Sequence, residues 1–99
     1  MNAKIKDDIE NIKNKIVPIL LKYGTMHAGI FGSFVRGDSN PSSDLDLLVE
    51  IPPELDLMEF VHIKGELEEA VKRDVDLIEY SSIKPDLRES ILNEEVALI

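Results

Sequence analysis

The sequence predicts a small α/β (α+β) domain, one modest sheet covered by helices, and three observations predict it. Two stretches carry apolar residues at helical spacing, residues 5–19 and about Leu55 to Arg73. Three short apolar runs have strand character, residues 26–31, 44–51 and 75–80. The order helix–strand–strand–helix–strand–helix then needs a small sheet with helices packed on it. With 99 residues, the chain is expected to form a single domain over 1–99.

Each element has its own reason. Ile5, Ile9, Ile12, Ile16 and Ile19 follow one another at spacings of four and three, which keeps them on one helix face. Lys4, Lys6, Lys13, Lys15 and Lys22 decorate the rest. Pro18 falls inside this pattern and is expected to kink the helix or start a new turn. Gly24 is the expected cap after Tyr23. MHAGIF (26–31) is the first strand. DLDLLVEI (44–51) follows a Ser/Pro/Asn-rich loop and stops at Pro52–Pro53. The second helix has Leu57, Phe60, Val61, Leu67, Ala70 and Val71 as its expected inner face, with Asp56 capping its start. VDLIEY (75–80) is the third strand. Pro85 opens a last helix to about Asn93, with Leu87, Ile91 and Leu92 as its apolar side. VALI (96–99) is either an edge strand or the end of that helix.

Composition narrows the function classes. Asp and Glu number 20 against 11 Lys and Arg, a formal net charge of −9. Such a chain does not grip nucleic acid through a basic surface, so no direct nucleic-acid binding is expected. The acid is uneven: residues 1–50 hold seven acids and six bases, residues 51–99 thirteen and five. Cysteine is absent, which excludes disulfides, thiolate metal sites and a cysteine nucleophile, and fits a reducing cytoplasm. The N-terminus is charged and helical in pattern rather than a signal peptide, and no apolar run approaches the roughly 18 residues of a membrane span.

The most informative stretch is GSFVRGDSNPSSDLDLLVE, residues 32–50. In a strand, residues i and i+2 share a face. Asp44, Asp46 and Leu48 therefore point one way, and Leu45, Leu47, Val49 and Ile51 the other. Two neighbouring carboxylates repel unless a cation lies between them, and an all-oxygen pair suits a hard ion such as Mg²⁺. Aspartate is also a poor strand former, so two among hydrophobic residues call for a reason. VDLIEY repeats the pattern: Asp76, Ile78 and Tyr80 share one face, Val75 and Leu77 the other. If this strand lies beside the second, Asp76 joins Asp44 and Asp46. Gly32 lets the backbone approach a ligand closely, and Ser33 adds a hydroxyl donor suited to a phosphate oxygen. Arg36 either reaches a phosphate or pairs with Asp38 or another acid. Gly37, Asp38, Pro41, Ser42 and Ser43 read as turn chemistry.

Gly-Ser, ten residues, then Asp-x-Asp resembles the nucleotidyltransferase superfamily that includes DNA polymerase β. More closely, it resembles the minimal nucleotidyltransferase domain, a family of protein adenylyltransferases that act as antitoxins to HEPN ribonuclease toxins. FGSFVRGD, SDLDLLVE, an amphipathic helix, VDLIE and the tail KPDLRESILNEEVALI fall in that family's order. The resemblance implies a small mixed sheet flanked by helices. It also implies that Gly32 and Ser33 hold phosphate, that Asp44 and Asp46 ligate metal, and that Asp76 is the third carboxylate. Arg36 matches the arginine usual after Gly-Ser. The implied cofactors are two Mg²⁺ with ATP as substrate, because an acidic protein holds a triphosphate only with cations. Attack at the α-phosphorus transfers AMP and releases pyrophosphate.

Three functions follow as expectations. The first is a Mg²⁺-dependent adenylyltransferase acting on a hydroxyl of a partner protein, a HEPN-type toxin. The second is a binding module that neutralises such a toxin by complex formation alone, which has no need of three aspartates. The third, nucleotidyl transfer to a small molecule, is weaker because 99 residues leave nothing to build an acceptor domain. The lysine-rich first helix and the acidic last third are the candidate docking surfaces. His27, His62, Tyr23, Tyr80, Lys64 and Lys72 carry no catalytic signal, and Glu66, Glu68 and Glu69 read as a solvated helix face.

Overall fold

The computed structural model describes residues 1–99. Helix α1 spans Ala3–Lys22 and buries Ile9, Ile12, Ile16 and Leu20. Leu20 adds a fully buried residue to the expected stripe, and Ile5 and Ile19 pack half-buried against the same core. Asn2 caps its start, its side chain accepting from the Ile5 N–H at 2.9 Å. Pro18 does not break α1. Both Pro18 and Asn14, whose carbonyl loses its helical donor, are exposed, so that carbonyl faces solvent. The helix ends on paired bonds, Thr25 N–H to Leu20 C=O and Gly24 N–H to Leu21 C=O, both 3.0 Å. This closure needs a left-handed residue, which Gly24 supplies at φ +78°.

Strand β1 is His27–Phe31, and a four-residue helix, α2, follows over Ser33–Arg36, where the sequence suggested only a turn. β2 is Leu45–Glu50, α3 Leu57–Val71 and β3 Val75–Glu79. A 3₁₀ turn at Tyr80–Ser82 leads to α4, Pro85–Glu94, and then β4, Val96–Ala97. β4 settles the open reading of the last residues, because it pairs with β1 as an edge strand. The sheet order is β3-β2-β1-β4. β1 runs antiparallel to β2 and β4, while β2 and β3 are parallel and joined through α3.

The two sheet faces do different work. Leu45, Leu47 and Val49 of β2 join Val75 and Leu77 of β3, Ala28 and Ile30 of β1, and the inward residues of α1 and α3 in the main core. The opposite face carries a smaller cluster of Phe31, Leu48 and Ile83, against which Ile91 and Leu92 of α4 pack. Asp46 shares that second face with Leu48.

Helix α3 corrects the expected inner face. Ile63 and Leu67 are its buried residues, with Phe60, Ala70 and Val71 half-buried. Leu57 is 78% exposed and Val61 52% exposed. Val61 lies two residues from Ile63, about 200° around the helix, so the two cannot face the same core. Leu57 instead stands at the rim of an apolar groove with Ile51, Leu55 and Phe60. Asp56 caps α3 as expected, accepting from the Glu59 N–H at 2.8 Å. In α4, Leu87 is exposed and no residue is fully buried, so its apolar side is only Ile91 and Leu92. No helix is long and apolar enough to cross a membrane.

Candidate active site

Parallel pairing of β2 and β3 puts Asp46 in register with Asp76, and antiparallel pairing puts Phe31 in register with Asp46. Adjacent strands lie about 4.8 Å apart, so the Asp46 and Asp76 side chains rise side by side on one face. Asp44 lies one residue before β2, is exposed, and is near enough for its charge to act on Asp46. Gly32 follows Phe31 and comes directly against the Asp46 carboxylate. A Cβ at position 32 would collide with that carboxylate, and its backbone (φ +81°, ψ −150°) is a conformation essentially confined to glycine. Glycine is thus demanded twice, by conformation and by space.

Electrostatics mark the same spot. Burial pushes Asp46 up to about 6, with the charges of Asp76 and Asp44 adding to the rise and Arg36 opposing it. Burial and two like charges are what a bound cation offsets. The donors are all oxygen, from two aspartates on one strand face and a third one strand over. They fit a hard divalent ion such as Mg²⁺. No three acidic or imidazole side chains converge closely enough to enclose an ion by themselves.

Arg36 is paired with acids on both sides. Its Nε meets Asp38 Oδ2 at 3.4 Å, and its Nη1 meets both oxygens of Glu94 at 3.2 Å. These partners raise its already high pKa, Glu94 first and then Asp38. Glu94, the last residue of α4, also accepts from the Gly32 N–H at 2.6 Å. No periodicity or motif distinguishes Glu94 in the tail, so only the fold reveals it.

Two further residues hold the site in place without touching it. Arg73 Nη1 donates to the carbonyls of Asn40 and Ser43, at 3.1 and 2.9 Å, and its guanidinium lies 4.7 Å from the centre of the Phe34 ring. It thereby ties the end of α3 to the loop that delivers Asp44. Glu68 accepts from the Val75 N–H at 2.9 Å, fixing the start of β3 one residue before Asp76. Glu68 is therefore not on a solvated face. Glu66 is not free either, pairing with Lys22 at 2.9 Å. The one available hint was position, since Arg73 stands just before Asp74-Val75-Asp76. His27 meets Glu50 at 3.2 Å at the far end of β1, away from the aspartates.

A mixed sheet that sets a Gly-Ser turn against aspartates heading two neighbouring strands defines a nucleotidyltransferase. The chain belongs to the polymerase beta nucleotidyltransferase family, whose model matches residues 14–99. It is 46% identical over 92 residues to a Methanocaldococcus jannaschii protein whose name proposes protein adenylyltransferase activity, spanning 93% of this chain and 99% of that one. It is similar to the solved structure of a proposed minimal nucleotidyltransferase, with 28% identity, a TM-score of 0.78, and 91% and 92% of the two chains covered. A chain from the crystal structure of a toxin–antitoxin with AMP-PNP is also similar, at 26% identity and a TM-score of 0.76, covering 88% of this chain and 72% of that one.

Proposed function

We propose that the enzyme transfers AMP from ATP to a hydroxyl on a partner protein, a HEPN-type toxin for which it is the antitoxin, and releases pyrophosphate. The observation that carries this reading is the register of Asp46 with Asp76, hard against the Gly32 backbone. It places carboxylates beside the turn suited to phosphate. The protein acceptor is supported by the name of the M. jannaschii relative and by the likeness to a toxin–antitoxin solved with AMP-PNP.

In this mechanism Gly32 and Ser33 bind the β- and γ-phosphates through backbone N–H and hydroxyl. Asp44 and Asp46 are the proposed metal ligands, with Asp76 as the third. Bound there, Mg²⁺ supplies charge neutralisation at the triphosphate and polarises the acceptor hydroxyl. Asp76, exposed at the head of β3, accepts the hydroxyl proton. The acceptor oxygen forms a bond to the α-phosphorus, the bond from that phosphorus to the α–β bridging oxygen breaks, and pyrophosphate leaves with those electrons. Arg36 stabilises charge on the leaving phosphates.

The test uses ATP labelled in the adenine or α-phosphate, Mg²⁺ and the product of the neighbouring gene as the candidate acceptor. Label transfer that disappears in an Asp44→Asn/Asp46→Asn variant supports the proposal. Toxin neutralisation that survives in that variant, with no label transferred by the wild type, supports neutralisation by binding alone. Label found on a small molecule and never on protein sinks the protein acceptor.

A further inference from the structure

The Glu94 carboxylate occupies the donors that the proposed mechanism gives to phosphate. Its Oε1 takes the Gly32 N–H at 2.6 Å, and both oxygens take the Arg36 guanidinium at 3.2 Å. A carboxylate and a phosphate present the same chemistry to such donors, an anion whose oxygens accept two N–H bonds at once. The contact joins residues far apart in the chain. Glu94 also lies close enough to Asp46 to add to the repulsion that raises its pKa, so it contributes a further negative charge to a face already carrying three aspartates.

The element that brings Glu94 there is weakly held. Helix α4 has no fully buried residue, and Leu87 is half exposed. Its attachments are the half-buried Ile91 and Leu92, the Arg88 Nη1 bond to the Tyr80 carbonyl at 3.0 Å, and the Tyr80 hydroxyl bonded to Glu95. The weak hold ends with α4: beyond it β4 pairs with β1, the Leu98 and Ile99 N–H groups bond the Ala28 carbonyl, and Leu98 is buried in the main core. Segments with few buried apolar contacts open at a small fraction of the global unfolding free energy.

We propose that Glu94 is an internal stand-in for the triphosphate: it closes the Gly32–Arg36 anion seat in the resting enzyme and must leave, with the end of α4, when the nucleotide enters. This rests on the reading of Gly32 and Ser33 as the phosphate-binding turn. Two anions cannot share one pair of donors, so binding is competitive within the molecule. The apparent affinity for nucleotide is lowered by the fraction of molecules in which Glu94 is seated. The same displacement frees α4 from the face that carries Phe31 and Leu48, so nucleotide entry loosens residues 85–94.

Calorimetric titration of the full chain with AMP-PNP and Mg²⁺ tests this on the wild type, Glu94→Gln and Ser33→Ala. Glu94→Gln keeps an oxygen for the Gly32 N–H but loses the charge that holds Arg36, so it leaves the fold standing. The expected result is roughly tenfold tighter nucleotide binding for Glu94→Gln, the size of a lost charge-assisted contact, and weaker binding for Ser33→Ala. If Ser33→Ala weakens binding while Glu94→Gln leaves it unchanged or weaker, the seat stands and the competitor role is overturned. If Ser33→Ala has no effect, the phosphate reading fails and this inference falls with it. Hydrogen exchange on the wild type gives a second readout. Saturating AMP-PNP and Mg²⁺ should speed exchange in residues 85–94, and unchanged or slower exchange there overturns the displacement. A Glu94 that only pinned α4 would lower the melting temperature of the Gln variant without tightening nucleotide binding.

Discussion

Asp76 stands in register with Asp46 across the parallel pair β2–β3, one strand apart and on the face turned away from the main core. Neither residue borders the other in sequence. Helix α3 separates their strands, and its burial of Ile63 and Leu67 returns the chain so that the two carboxylates meet. That pairing leads to the first prediction. Asp46→Asn should lower AMP transfer by at least about a hundredfold, the scale of removing one preorganised electrostatic group. The same change should raise the melting temperature of the cation-free protein at pH 7, because it removes a half-buried charge beside Asp76 and Asp44. A thermal melt with chelator beside an activity assay with Mg²⁺ reads both. Loss of stability together with activity would contradict the electrostatic account.

The pH dependence has a definite sign. Asp46 titrates at about 6 in the fold against 3.8 ordinarily, so between those values the folded state holds more protons than the unfolded one. Stability of the cation-free protein should then fall as pH rises from about 4 to about 6, as far as Asp46 contributes, and level off above. The contribution is reduced by solvent, since Asp46 is only half-buried. Comparing denaturant midpoints of wild type and Asp46→Asn across this window isolates it. The difference between the two should grow from pH 4 to pH 6.

Gly32→Ala should be harmful twice over. The backbone there costs an L-residue about 1–3 kcal/mol, and the added methyl meets the Asp46 carboxylate. Chemical denaturation should show a loss in that range. A Gly32→Ala/Asp46→Ala double variant should recover part of it, since the carboxylate is then gone while the backbone strain remains.

Arg73 should matter to catalysis from outside the site. Arg73→Met keeps the stem but loses the bonds to Asn40 and Ser43. The loop before Asp44 then loses its tie, and kcat should fall by up to about a hundredfold, the scale on which a misplacement of about 1 Å acts. Stability should fall by about 1–2 kcal/mol. Arg73→Lys, which cannot fork to two carbonyls and stack on Phe34 equally well, should recover only part of kcat.

The two sides of α3 should respond oppositely to truncation. Leu67→Ala should cost about 2–5 kcal/mol, as large-to-small changes in a packed core do, because Leu67 is wholly buried. Leu57→Ala and Val61→Ala, both at exposed positions, should stay within about 0.5 kcal/mol. Reduced binding of the proposed partner protein by either of these last two, with stability unchanged, would mark the exposed side of α3 as part of a docking surface.

Periodicity and turn chemistry made most of the elements legible in the chain. The spacing of the isoleucines announced α1, Pro85 opened α4, and alternation put Asp44 and Asp46 on the side opposite Leu45, Leu47 and Val49. These are local rules, in which each residue's direction follows from its neighbours' backbone. The face of α3 was misjudged where local rules are weakest: Leu57 and Val61 are as apolar as Ile63, and only packing against α1 and the sheet selects between them. Asp76 could be singled out by pattern, but its partnership with Asp46 depended on which strands pair and in what direction. Glu94 and Arg73 were invisible, because each acts on residues brought near by the crossover or by α4 folding back over the sheet. The sequence by itself determined most of the elements, the faces of the strands and the family motif. The tertiary structure alone decided the register of Asp46 with Asp76 and the seating of Glu94 on Gly32 and Arg36, since contacts between distant segments are set by the packing of whole faces and not by any one segment's pattern.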